Sequence, residues 1–420
     1  MNKKPNVCVI DSGQFVWWAI QLSEYFNIFY YKPWNKHGMP DVKDYFIGYG
    51  YDEITKIDDI FSENESYKFN DVDLFIVTDL YFGDTVKYLR SIGKLVWGTG
   101  PIESLEINRW EFQKKLTELK LPTTESVKIK GLDKLDIYLK DKTKCYVKIS
   151  KFRNVVETFR HENYELSEPL LQKLKHDLGA VRNELEFIVQ KEIKTDVEYG
   201  YDGITIDGQY WQNGLFGCEI KDSAFLIKTL EYKDLPKSLK DVNEKFAPTF
   251  KKEQYRGNFS TEMRGGNKNW GYFTDITQRC PSPPCEVYTS MIDNWSEILI
   301  EGAKGFLIEP KFNSKYGGQL IFNSEFLSDG NWQSIYIQKS IRKFVKLRYS
   351  CKIKDKEYCV PQGFPECGSI IALGNTMNEV LDKLREYAGM VKGYDVCIKI
   401  DKLNDAIEAV KKTEAIGIKF

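Results

Sequence analysis

The chain has 420 residues, 60 Lys and Arg against 61 Asp and Glu for a net charge of −1, and nine cysteines. This length accommodates roughly two to four domains with real cores, and the balanced charge with no basic tail excludes a dedicated polyanion binder, so no nucleic-acid partner is expected. Three histidines against 25 Tyr and 25 Phe argue against an all-protein zinc site and leave the chemistry to carboxylates, lysines and arginines.

The odd, scattered cysteines fit reduced thiols in a cytoplasm, and Cys280 and Cys285, flanking "PSPP", read as structural. The N-terminal apolar run is cut at Asp11, so neither a signal peptide nor a membrane helix is expected.

From Asn6 to about Gly100, strand and helix signals alternate: "NVCVID", "NIFYYKPW", "DVDLFIVTD" and "KLVWG" as strands, "SGQFVWWAIQLSEYF" and "GDTVKYLRSIG" as helices. Such alternation predicts a parallel sheet with helices on its faces, a Rossmann-like domain over 1–100. "DSGQFVWWA" lacks the glycine spacing that admits a pyrophosphate, which argues against NAD binding.

A second unit, 101–190, begins with one helix, "SLEINRWEFQKKLTELKL", carrying Arg109 near its start and broken at Pro122. The strand "KCYVKIS" places Cys145, Val147 and Ile149 on one face and Tyr146, Lys148 and Ser150 on the other. Lys148 is therefore either a phosphate-binding cation or a surface lysine on a half-exposed strand. The apolar strand "EFIVQKEI" turns polar at Gln190 and leads to Glu192 and Glu198, a pattern that borders clefts. An Asp207-Gly208 hairpin follows, then Glu219, Lys221 and Asp222.

The stretch from Phe259 to Pro284 reads as a hairpin turning near Asn267 and Lys268. Alternation puts Asp275, Thr277 and Arg279 on one face and Thr274, Ile276 and Gln278 on the other, with Glu262 at matching height on the partner strand. Two opposed acids repel, and a cation between them relieves this; the alternative is a solvated hairpin with charges on its wet face. This third unit, 191–340, continues with one helix over "CEVYTSMIDNWSEILIEGAKG". A small α/β piece over 341–420 has "SIIALG" as a strand and a Thr376/Glu379 capping box. Its helical stripe runs to Val391, with Gly393 as the stop.

Taken in order, "SLEINRWEFQKKLTELKLPTTES", "YVKIS", "IVQKEI" and the acidic hairpin resemble the ATP-grasp superfamily, most closely its phosphoribosylamine-glycine ligase branch, with its shorter relatives in bacteriophage genomes. The resemblance covers nearly the whole chain and implies an α/β and α+β multidomain protein: a pre-ATP-grasp domain, a two-lobed grasp fold and a small closing domain. It implies ATP and Mg²⁺, or Mn²⁺, as cofactors. Arg109 and Lys148 would reach the nucleotide phosphates, with Lys151, Arg153 and Asn154 as a glycine-poor lid. Gln190 ends the hinge strand, where the backbone of Lys191, Glu192 and Ile193 would meet adenine, and Glu198 would take the ribose hydroxyls. Lys221 would lie near the γ-phosphate, Glu262, Asp275 and Thr277 would hold metal, and Arg279 would close the catalytic set. Asp275 and Thr277 depart from the family's usual Glu and Asn.

The activity so implied is an ATP-dependent carboxylate-amine ligase working through an acyl phosphate on small-molecule acids and amines, in the cytoplasm, or the host's if phage-encoded. A non-catalytic nucleotide-binding scaffold and a kinase-like phosphotransferase are the alternatives. The aromatic content would permit a homodimer interface.

Overall fold

The computed structural model describes residues 4–33, 42–62, 66–150, 158–195, 197–220 and 223–420. Its first unit is a parallel sheet in the order Ile54–Ile57, Asn27–Tyr31, Asn6–Ile10, Leu74–Val77, Val96–Trp97. Its central strands are continuous apolar runs, as parallel strands covered on both faces must be. The edge strand Ile54–Ile57 was not anticipated, because only its first and last residues are buried and the apolar signal is too short to stand out.

The next unit is an antiparallel sheet in the order Ser126–Lys130, Glu186–Lys191, Cys145–Ile149, Thr158–His161. Helices Leu132–Leu139 and Tyr164–Leu178 back it through Leu135, Leu139, Val147, Leu171 and Phe187. As expected, Cys145, Val147 and Ile149 point inward and Tyr146 and Lys148 outward.

Beside a four-stranded antiparallel sheet in the order Ser350–Ile353, Lys356–Cys359, Gln333–Ile337, Val391–Lys392, a nine-stranded sheet carries the rest. Its order is Trp270–Thr277, Arg256–Asn267, Glu198–Ile206, Asn213–Ile220, Ala224–Glu231, Tyr316–Ser324, Glu366–Gly374, Val345–Leu347, and Val396–Ile398 joins Tyr316–Ser324. Strands from both sides of residue 340 therefore share one sheet.

Period-two alternation splits the core. Phe216, Leu226 and Ile370 pack under helices Lys237–Lys252, Met377–Ala388 and Lys402–Ala415. Leu215, Phe225 and Ile371 face the first unit and helices Cys285–Met291 and Trp295–Lys304, where Trp18 meets Trp295 edge-on at 5.7 Å.

Three helices differ from expectation. The one beginning at Ser104 breaks after Ile107, because Asn108 turns extended and its side chain caps Arg109–Glu118 by accepting from Glu111 N. The helix after Pro284 is likewise two, separated at Ile292–Asn294. Thr376 does accept from Glu379 N, but that helix ends at Ala388 with Gly389 as its cap; Val391 belongs to the strand Val391–Lys392, so Gly393 is not the stop.

Candidate active site

The hairpin folds as its alternation predicts. Arg256–Asn267 and Trp270–Thr277 close with Asn267 opposite Trp270, and Glu262 sits directly opposite Asp275. Two details depart from strict alternation, the first being that Gly266 drops out of the ladder beside the turn. A bulge beside Glu262 leaves Thr274 unpaired in the ladder, and its hydroxyl turns to donate to Glu262 Oε1 at 2.9 Å. Thr274 and Asp275, expected on opposite faces, thus line the same cleft.

That cleft, about 120 Å³, lies between the smaller antiparallel sheet and the hairpin. Lys148, Gln190, Lys191 and Ile193 form one wall, Glu262, Arg264, Thr274 and Asp275 the other, and Arg109 reaches in beside them. Arg109 is 4% exposed at the first turn of its helix. Its N–H donates to Ser150 Oγ at 3.2 Å, and its Nη1 donates to both Asp275 oxygens at 2.7 Å. The residues implied to hold phosphate and metal are thus bonded to each other across 166 positions of chain. Lys148 Nζ donates to Thr274 O at 3.3 Å, tying the two walls.

The hinge residues are placed differently from one another. Lys191 and Ile193 line the cleft, and Lys191 O accepts from Thr124 Oγ1 at 2.9 Å. Glu192 turns away: its carboxylate takes Arg160 Nε at 2.8 Å, and its N–H donates to Lys144 O. Glu198 accepts from Arg264 Nη2 at 2.6 Å, on the strand beside Glu262.

Thr277 stands opposite Ser260, outside the cleft lining. Arg279 is held farther on, its Nε donating to Glu106 Oε1 at 3.0 Å and lying 3.6 Å from Asp79. Lys151, Arg153, Asn154, Lys221 and Asp222 lie outside the described residues. Arg264 and Tyr146 were missed, although each sits two residues from a chosen residue and on the same strand face, so the same alternation would have found them.

Burial, and next the charge of Glu262, push the Glu198 carboxyl up to about 8, with Arg264 opposing. The folded state therefore favours the neutral acid. Stability fully present below the ordinary value of 4.5 is lost as the pH rises through 8. Glu198→Gln should flatten the melting temperature across that window in magnesium-free buffer; an unchanged slope would refute the assignment.

The donor set suits a nucleotide and a hard cation. A hinge backbone, a lysine and an arginine face two opposed carboxylates, and Mg²⁺ is commonly held by one or two carboxylates plus phosphate oxygens. No group of three or more His, Cys, Asp or Glu among the described residues could hold a metal without such help.

No protein-family model and no curated protein sequence matches the chain. Solved structures do. The chain is similar to the phosphoribosylamine–glycine ligase of Thermotoga maritima, with a TM-score of 0.69 at 12% identity over 94% of this chain and 99% of that one. It is also similar to the biotin carboxylase domain of the Hydrogenobacter thermophilus 2-oxoglutarate carboxylase, solved with magnesium ADP and bicarbonate (TM-score 0.68, 11% identity, 97% and 96% covered). The L-amino acid ligase of Bacillus licheniformis aligns at a TM-score of 0.61 and 12% identity, with 94% and 99% covered. The chain has the ATP-grasp fold along nearly its whole length.

Proposed function

We propose that the chain is an ATP-dependent carboxylate-amine ligase of the phosphoribosylamine-glycine ligase type, forming a C–N bond with release of ADP and phosphate. The observation that carries this is Glu262 directly opposite Asp275, in a cleft whose other wall is Lys148 and the hinge residues Gln190, Lys191 and Ile193. The fold shared with the Thermotoga and Bacillus ligases supports the same reading. Glu262 and Asp275 would hold Mg²⁺, which supplies charge neutralisation at the phosphates.

The residues of the chain then do the rest. The hinge backbone positions adenine and Glu198 the ribose. Lys148 and Arg109 draw charge from the transferring phosphoryl group, so that a substrate carboxylate attacks the γ-phosphorus without meeting full negative charge. An amine then attacks the acyl carbon of the acyl phosphate and displaces phosphate, and no side-chain nucleophile is required.

Incubation with ATP, Mg²⁺ and panels of small acids and amines tests this: release of ADP and phosphate must depend on both. Phosphate retained on one substrate would point to a kinase, and nucleotide binding without turnover to a scaffold. Lys148→Ala should raise the KM for ATP about 10- to 100-fold, the loss of a charge-assisted phosphate contact; an unchanged KM would remove Lys148 from the site.

All nine cysteines are free and eight are buried, which supports a reducing, cytoplasmic setting. No helix among the described residues is long and apolar enough to cross a membrane.

A further inference from the structure

We infer that Asp202 is the seat of the amine substrate, receiving its ammonium group beside the acyl phosphate and taking its proton as the C–N bond forms. This rests on the ligase reading above and assigns its second substrate.

The strand register orders the floor of the site in three rows. Glu198 pairs with Arg264; Gly200 pairs with Glu262, which faces Asp275; Asp202 pairs with Ser260, which faces Thr277. Paired residues share a face and each row is two residues on, so all three rows look toward the same side of the sheet. The chain enters the first row from the hinge, and the cleft lining spans the first two. A nucleotide running from hinge to acids ends its phosphates at the second row. The group it activates, and the nucleophile that attacks that group, fall over the third.

Asp202 is the charged group of that third row. It is 2% exposed. Its Oδ1 accepts from Ser260 Oγ at 2.7 Å, and no lysine, arginine or histidine among the described residues pairs with it. Burying a lone carboxylate is costly unless a cation meets it, and none of the described residues supplies one.

Its second oxygen occupies space that a side chain on the neighbouring strand would take. A Cβ at Gly217 would stand 2.8 Å from Asp202 Oδ2 and 2.2 Å from the Phe225 ring. Glycine at 217 thus leaves room for both the carboxylate and the Phe225 ring. Burial pushes this carboxyl up to about 7, with the Ser260 hydroxyl opposing, which suits a group that alternates between accepting and releasing a proton.

The step balances. One ammonium proton passes to Asp202, the freed lone pair attacks the acyl carbon, the C–N bond forms, the bond from acyl carbon to phosphate oxygen breaks, and the second proton shed by nitrogen goes to the departing phosphate, leaving a neutral amide. Phosphate leaves with the electron pair.

Hydroxylamine separates the two half-reactions, because it is unprotonated at neutral pH and traps an acyl phosphate as a hydroxamate without needing a proton acceptor. The test gives ATP and Mg²⁺ to the wild type, Asp202→Asn and Ser260→Ala, with each standard amino acid as carboxylate. Hydroxylamine is the amine in one arm, and ammonia and the standard amino acids in the other. Asp202→Asn should form hydroxamate within about threefold of wild type while kcat/KM for the ordinary amine falls about 100-fold. Ser260→Ala, which only frees Asp202 to rotate, should show a smaller loss confined to the same arm, and matching thermal melts verify the fold. An Asp202→Asn enzyme that keeps amine ligation, or loses both arms in parallel, overturns the assignment. A wild type that makes hydroxamate with no acid overturns the ligase reading, and the inference with it.

Discussion

Asp275→Asn is expected to lower acid- and amine-dependent ADP release by about 10²- to 10³-fold while leaving the fold in place. The substitution changes charge and almost nothing else. An asparagine carbonyl can still accept the Ile276 N–H that now reaches Asp275 Oδ1 at 3.0 Å, and the ladder pairing with Glu262 is made by backbone. What disappears is one of the two opposed carboxylates and the anion on which Arg109 closes from the neighbouring helix. The proposed cation site would lose half its protein charge, and Arg109 would no longer be held by Asp275. Loss of turnover with a melting transition that stays cooperative, but is lowered because buried Arg109 loses its carboxylate partner, is the expected pair of results, read by coupled ADP release and by calorimetry. An asparagine variant within threefold of wild type would exclude Asp275 from the reaction.

Why the hairpin could be read from sequence, and Arg109 only in part, is a matter of range. Glu262 and Asp275 are brought together by a two-residue turn and by period-two alternation, both local properties, and counting still reaches the pair because the extra residue Gly266 on one strand is offset by Thr274 on the other. The bulge at Thr274 does not follow from counting, because strict alternation puts that hydroxyl on the wrong face. Arg109 was chosen for its place near a helix start. Its contact with Asp275 depends on how that helix seats against the hairpin, and on the break at Asn108 that sets its first turn, neither of which a periodic pattern encodes.

For Glu192 it is the direction of the side chain that is set at long range. Its place after the hinge strand was legible, but Arg160, on the strand Thr158–His161, draws it out of the cleft. Asp202 was passed over because an acid within "YGYDGITI" gives no sign of whether it faces solvent or a ligand. Only the pairing of three strands places it beyond the metal-type acids.

Arg348→Met should destabilise the protein by about 3–5 kcal/mol, the range for removing one partner of a buried ion pair. Arg348 and Glu286 are 2% and 0% exposed in their side chains. Arg348 Nε and Nη2 donate to Glu286 Oε1 at 3.1 and 2.7 Å, and Nη1 pairs with Glu366. The guanidinium thereby joins the helix Cys285–Met291 to the end of the paired strands Val345–Leu347 and Glu366–Gly374. Ser282 Oγ alone would remain on Glu286 Oε1, and Oε2 has no partner among the described residues.

Methionine fills much of the arginine stem, so the deficit is chiefly that of a stranded carboxylate. The stranded acid fixes the sign of the pH dependence: it can be relieved by taking up a proton, which raises its folded-state value above its unfolded one. The variant's deficit should then shrink as the pH falls and grow as it rises. Urea unfolding at pH 5 and pH 8 reads this directly. Adding Glu286→Gln to Arg348→Met should recover part of the loss and remove its pH dependence, because the amide leaves no charge to bury. A deficit of equal size at both pH values, or a double variant no better than the single one, would mean that arginine's contribution is packing and not charge.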